Sequence, residues 1–278
     1  MRAIRADMHL HTYYSDGQYS PADISELSVN RGLDFAVVTD HDNCLAYPEF
    51  SKLCEERGIK TVRGIEVSAY SGDVKVHTLG YGVENTPDWL AFTNSLVEKS
   101  FVRTEDILKK LKACGVGIPF EEAAAQRFSP EMPIHSIHIA RAAVKLGYAE
   151  SPYSFYGEYM MPGRPAYSKV GRPTPEKAVA EIKKAGGISS LAHPGRITLD
   201  KEGLKALVKR LKCFGLDGIE AVYSTHTAED TRYFTDIAKR YKLSVTGGSD
   251  SHYPQGRKSV GVPEFYPDDG LLVKLLKG

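Results

Sequence analysis

Residues 33–41 read LDFAVVTDH. A helical pattern precedes them over residues 21–31, opened by Ser20-Pro21 and stopped by Gly32. The run itself is short and almost wholly apolar, the signature of a parallel strand buried on both faces. It breaks off abruptly at Asp40-His41. The same unit of helix, glycine stop, apolar run and polar tip recurs along the chain. Residues 48–57 form a helical pattern ended by Gly58, and residues 59–68 contain a strand ending near Glu66. Residues 74–80 carry His77. A helix over 174–185 precedes a strand at 188–192 that ends in His193-Pro194-Gly195. Helices over 201–214 and 227–241 alternate with strands at 218–223 and 243–247, the last ending in Ser249-Asp250-Ser251-His252. At the start, residues 2–11 alternate weakly and end on His9 and His11. Helices alternating with short apolar strands predict an α/β architecture.

The rhythm lapses between 85 and 167. Residues 88–114 and 135–146 read as helices, Pro119 to Glu122 caps a further one, and 151–173 are rich in Pro, Gly and Tyr. The expected organisation is an α/β body from 1–84 and 168–278 with a helical cap inserted at 85–167, although an ordinary outer layer would read the same way.

Composition narrows the function. With Lys+Arg 36 against Asp+Glu 35, the net charge of +1 offers no field for wrapping duplex nucleic acid, and leaves a short phosphorylated substrate open. No stretch approaches the ~20 apolar residues of a membrane span. The start, MRAIRADMHLHTYY, has no apolar leader core. Cys44, Cys54, Cys114 and Cys213 lack CxxC spacing, which predicts free thiols and a cytoplasmic setting.

The polar residues at the strand ends carry the chemistry. His9, His11, Asp40, His41, Glu66, His77, His193, Asp250 and His252 fall at or near such ends, which converge on one face of an α/β barrel. Each alone has a bland reading: HxH on an edge strand, Asp40 as a helix cap, His193 in a turn, Glu66 in a surface ion pair. Together, imidazole and carboxylate form a ligand set suited to Zn, Mn or Fe. His135 and His226 read as surface or local hydrogen-bonding histidines. His138 and Arg141 share a helix face, as a phosphate clamp or as solvated helical residues, and Lys99 and Arg103 carry the same two readings. There is no GxGxxG and no Walker A sequence.

HLHTYYSDG, TDHD, GIEVS, VHTLG, SLAHPGR, LDGIEAVYSTH and GGSDSH, in that order, resemble the PHP (polymerase and histidinol phosphatase) family of metal-dependent phosphoesterases, over essentially the whole chain. Within it, HIAR and GRPAY are most similar to the stand-alone bacterial enzymes that hydrolyse nucleoside 3′,5′-bisphosphates, some of which trim 5′ ends of short RNA. The resemblance implies a distorted (β/α)7 barrel and two or three divalent transition metal ions (Mn, Fe or Zn). It implies a first position from His9, His11, Glu66 and Asp250. Glu66 would bridge to a second with His77 and His193, and Asp16, His41 and His252 would hold a third. The implied reaction is attack of a metal-bridging hydroxide on a small phosphomonoester. Asp40 is the candidate for orienting a liganding histidine or shuttling a proton. Lys99, Arg103, His138, Arg141, Lys169 and Arg196 are candidates for holding phosphate, Arg196 best placed because it follows AHPG. Two departures stand out. Ser136 replaces an arginine of that subgroup, and residues 95–103 offer only Lys99 and Arg103. Rival readings are a histidinol-phosphate phosphatase, a broad phosphomonoesterase, an amidohydrolase-like hydrolase, and a non-catalytic metal- or nucleotide-binding module.

Overall fold

The computed structural model describes residues 2–253 and 258–276. Seven strands run Ala6–Leu10 (β1), Phe35–Val38 (β2), Gly64–Ser71 (β3), Val74–Tyr81 (β4), Ile188–Leu191 (β5), Gly218–Tyr223 (β6) and Ser244–Gly248 (β7). β1 pairs with β2, and β3 to β7 form one sheet in chain order. Two short seams join these sheets into a ring. At one, the Asp250 N–H donates to the His9 carbonyl (2.8 Å) and the His11 N–H to that of Ser251 (3.1 Å). At the other, the Glu66 N–H donates to the Asp40 carbonyl (3.1 Å) and the Asp42 N–H to that of Glu66 (3.0 Å). A glycine sits at each seam because the backbones nearly touch. A Cβ on Gly64 would land on the Val38 carbonyl, and one on Gly248 on His9.

β4 is antiparallel to both β3 and β5, while the other pairings are parallel. This reversed strand is the distortion of the barrel, and it revises the reading of every site residue as a C-terminal strand tip. Glu66 is the third of the eight residues of β3, and His77 the fourth of β4. They meet because the two-residue turn Gly72-Asp73, with Gly72 at φ +61°, folds β4 back on β3.

Helices Pro21–Asn30 (α1) and Tyr47–Glu56 (α2) cover β1 and β2, burying Ile24, Phe50 and Cys54 against Leu10, Ala36 and Val38. Ser20 starts α1 through a capping box with Asp23. Pro87–Ala113 (α3) is the long helix where alternation stops. Phe120–Ala124 (α4), Ser136–Lys145 (α5) and Pro152–Tyr159 (α6) follow. Pro175–Lys184 (α7), Lys201–Cys213 (α8) and Ala228–Tyr241 (α9) then pack on β5 and β6 through Val179, Leu207, Leu211 and Phe234. Each such fully buried side chain stabilises by about 1.5–3 kcal/mol. In Asp269–Leu276 (α10), Leu271 and Leu275 join Met8, Phe35 and Leu79.

α3 belongs to two cores at once. Trp89, Phe92 and Leu96 pack on Ile65, Val67 and Ile182 of the barrel layer. Ile107 and Leu111 pack instead with Ile139, Ala143 and Phe155 in a core of the insertion's own. The first half of the helix and its second half are thus buried in different clusters.

Candidate metal centre

Five imidazoles surround the carboxylate of Glu66, which is completely buried. His77 Nδ1 lies 2.8 Å and His193 Nε2 2.9 Å from its Oε1. His41 Nδ1 is 3.1 Å, and His9 and His11 Nε2 are each 3.3 Å, from its Oε2. Asp250 Oδ1 sits 3.2 Å from His11 Nε2 and 3.5 Å from His9 Nε2. Asp16 comes from the loop after β1. Its oxygens lie 3.3 Å from His252 Nε2, 3.7 Å from His41 Nε2 and 3.9 Å from His11 Nδ1.

Three overlapping groups have ligand atoms close enough to hold an ion: His9, His11, Glu66 and Asp250; His41, Glu66 and His77; and His11, Asp16, His41 and His252. His41 and His11 thus each stand between positions that the resemblance keeps apart. Buried polar atoms are normally paired. Here His9 Nε2, both nitrogens of His11, His41 Nδ1, Glu66 Oε2, His77 Nε2 and His193 Nδ1 have no hydrogen-bond partner. Unpartnered lone pairs facing one another fit divalent cations.

The electrostatics agree. Burial opposes charge on Glu66, yet the imidazoles, His77 first, hold it well below the usual carboxylate range. Asp250 and Asp16 are also driven down against their burial, chiefly by His252. Burial pushes His77 well down and His41 to about 4, against the pull of Glu66 on each. His9 and His11 respond oppositely. Burial would lower them, but Glu220, Glu66 and Asp250 raise His9 well up, and Asp250 and Glu66 raise His11 to about 10.

Further residues fix the donors. Glu220 on β6 accepts from His9 Nδ1 (2.8 Å) and from the His193 N–H (2.6 Å), aiming His9 Nε2 inward. Tyr223 donates to Asp250 Oδ2 (2.7 Å), which Lys258 and Arg196 also approach. His226 receives the Gly195 N–H (3.2 Å) and steadies the turn after His193. Asp42, His193 and Asp250 hold positive φ, of +60°, +26° and +54°. Such strain gathers at functional sites.

Above the centre opens a cleft of about 640 Å³. Lys75, Arg172, Arg196 and Lys258 line it, with Tyr153, Tyr156 and Tyr253 opposite in chemical character and His135, Ser136 and Ile137 from the start of α5. Arg172 is anchored by Asp42, which also accepts the Ser68 N–H (2.8 Å).

Of the residues expected to hold phosphate, Arg196 alone lines this cleft among the described residues. Lys99 is exposed on α3, off its buried stripe. Arg103 is buried and reaches the Val170 carbonyl. Lys169 pairs with Asp73 (2.5 Å) at the surface. His138 is buried, with Nε2 3.0 Å from the Ser15 carbonyl, and Arg141 donates to the Asp16 carbonyl (3.2 Å). Asp40 accepts from Thr12 N–H (2.8 Å), Thr12 Oγ1 (2.7 Å) and Ser15 Oγ (2.6 Å), bonds that secure the loop carrying Asp16. His135 is buried at the cleft and not at the surface. Lys75, Arg172, Lys258, Glu220, Tyr223 and Asp42 escaped the sequence reading. Of these, Glu220 and Tyr223 lay within LDGIEAVYSTH, and Lys75 shares the inward face of β4 with His77 by simple alternation.

A ring of parallel strands with one reversed, enclosing a histidine–carboxylate cluster under a cationic cleft, defines a metal-dependent phosphoesterase. The chain belongs to the PHP domain family, whose model matches residues 7–258. It is 31% identical over 263 residues to a 3′,5′-nucleoside bisphosphate phosphatase of Chromobacterium violaceum, covering 94% of this chain and 92% of the relative. It is 27% identical over 256 residues to a 5′-3′ exoribonuclease of Haemophilus influenzae, covering 92% of each. A solved structure from Chromobacterium violaceum, named an amidohydrolase and holding sulfate but no metal, superposes with a TM-score of 0.83. It shares 28% identity and covers 96% of this chain and 99% of its own. Among the described residues no helix is long and apolar enough to cross a membrane.

Proposed function

We propose that this chain removes the 3′ phosphate of nucleoside 3′,5′-bisphosphates at a centre of three divalent ions, Mn, Fe or Zn. His9, His11, Glu66 and Asp250 would hold the first. Glu66 would bridge to the second, with His77 and His193 and with His41 close by. Asp16, His41 and His252, beside His11, would hold the third. Bound ions would neutralise the phosphoryl oxygens and activate water for attack at phosphorus.

The observation that carries the substrate is the pairing of cations and tyrosines in one cleft. Lys75, Arg172, Arg196 and Lys258 surround the donors, more positive charge than a carbonyl substrate requires and suited to two phosphates. This favours phosphoester over amidohydrolase chemistry. Arg172, braced by Asp42, presents a fixed planar fork, and Lys258 and Arg196 sit beside Asp250. Tyr153, Tyr156 and Tyr253 offer faces on which a nucleobase can stack. Ser136 borders the same cleft where the subgroup has an arginine. One missing charge-assisted contact costs about 1.5–3 kcal/mol, roughly ten- to a hundredfold in kcat/KM. Selectivity for the second phosphate is therefore expected to be real but reduced.

The test compares kcat/KM for adenosine 3′,5′-bisphosphate, adenosine 5′-monophosphate, histidinol phosphate and a short 5′-phosphorylated RNA under one metal condition. The bisphosphate should lead. A preference for histidinol phosphate overturns the reading, and equal rates on the three small substrates make the enzyme a broad phosphomonoesterase. Elemental analysis against a chelated control gives the ion count.

A further inference from the structure

We infer that the helical insertion governs the third metal position, with His138 and Arg141 of α5 acting as positioning residues for Asp16. The inference rests on the three-ion reading above. The donors of the other two positions lie on or beside strands, where ladder hydrogen bonds fix them. Asp16 has no such support. It sits in the loop between β1 and α1, with its side chain about a quarter exposed. Its place depends on what grips that loop.

Two grips are visible. From the barrel side, Asp40 holds Thr12 and Ser15, the Gly17 N–H donates to the Thr12 carbonyl (3.0 Å), and the Gln18 N–H donates to the His252 carbonyl (2.7 Å). From the insertion side, two consecutive carbonyls are taken by one helix face. His138 Nε2 meets the Ser15 oxygen at 3.0 Å and Arg141 Nη2 the Asp16 oxygen at 3.2 Å. The proton on His138 is placed by its other nitrogen. The His135 N–H donates to Nδ1 (3.1 Å), so the neutral ring carries hydrogen on Nε2 and donates it to Ser15. The insertion thereby holds the peptide on both sides of the Asp16 Cα without touching the carboxylate. Releasing it should loosen Asp16 and leave Glu66, His9 and Asp250 in place.

The experiment titrates Mn²⁺ into chelator-stripped wild type, His138→Ala, Arg141→Ala and His138→Gln, reading stoichiometry and affinity by calorimetry. Wild type should take up three ions. The alanine variants should keep two tight ions while the third weakens by about ten- to a hundredfold, the usual cost of losing an outer-shell partner of a ligand. His138→Gln, which retains an N–H donor toward Ser15, should restore part of the third. Fewer than three ions in wild type defeats the three-ion reading itself. Three ions in wild type with unchanged affinities in the alanine variants overturns the inference, as does an equal weakening of all three ions. Arg141 is only half-buried, so its alanine variant decides the matter if His138→Ala does not fold.

Discussion

The barrel and the insertion contribute different things to one cleft. All nine candidate metal donors come from barrel strands and the loops that follow them. From α5 and α6 and the residue preceding them, the insertion sends Ser136, Ile137, two tyrosines and His135. The strands carrying His9, Glu66 and His77 are held by hydrogen bonds to their neighbours. The insertion rests on a core of its own and touches the centre through loop carbonyls and cleft walls. The candidate donors and the cleft cations Lys75, Arg172, Arg196 and Lys258 thus lie on one side of this divide, while the other adds Tyr153 and Tyr156 and grips the Asp16 loop, a division that single substitutions can break.

The largest effect should come from the middle of the barrel cluster. Glu66→Gln keeps the shape but removes the charge that faces five imidazoles. Activity should drop by about a thousandfold, the scale of losing a principal transition-state stabiliser, with bound metal falling alongside. Full metal content and wild-type rate in that variant would return Glu66 to a merely packed carboxylate. Glu220→Gln should cost less, about ten- to a hundredfold in metal affinity, because it only aims His9. A competition titration with a metallochromic dye measures this.

Next comes the insertion. Tyr153→Ala should weaken nucleoside bisphosphate binding by about 1–3 kcal/mol if a base stacks there. Hydrolysis of ribose bisphosphate, which has no base, should be unaffected. Equal losses on both substrates would show that the insertion closes the cleft without reading the base. Smaller again is a pH effect on the metal-free protein. His11 is raised from 6.5 to about 10 by Asp250 and Glu66, against its burial. A raised folded value gives stability that is complete below the unfolded value and lost as pH climbs through the folded one. The melting temperature of stripped protein should therefore fall between neutral pH and about 10. Metal-loaded protein should lack that slope, since the ions take the proton's place. The smallest effect belongs to Lys99→Ala, which should leave kcat/KM unchanged.

Lys99 also shows how far the sequence could be read. Along α3 the buried positions are Trp89, Phe92, Leu96, Ser100, Arg103, Thr104, Ile107 and Leu111, which share one helical face. That stripe excludes Lys99 and takes in Arg103, so helical phase alone argued against the first and for burial of the second. The donors were legible for a converse reason: a charged or imidazole side chain at the tip of a short apolar run has few bland explanations once it recurs. Strand direction was not legible, since an alternating pattern reads the same in either sense. Gly72-Asp73 was its only local trace. Asp42 and Arg172 stayed hidden because their pairing spans 130 positions.

The β3–β4 hairpin has a consequence for how the protein comes to exist at all. Glu66 and His77 are separated by 11 positions, joined by a two-residue turn, whereas Ser249 reaches Asp7 across 242. Closing the short loop costs the chain far less entropy than closing the long one, and local pairings are reached sooner than distant ones. The carboxylate at the middle of the cluster and one of its imidazoles are therefore neighbours by local geometry, while Asp250 joins them only when the last strand meets the first.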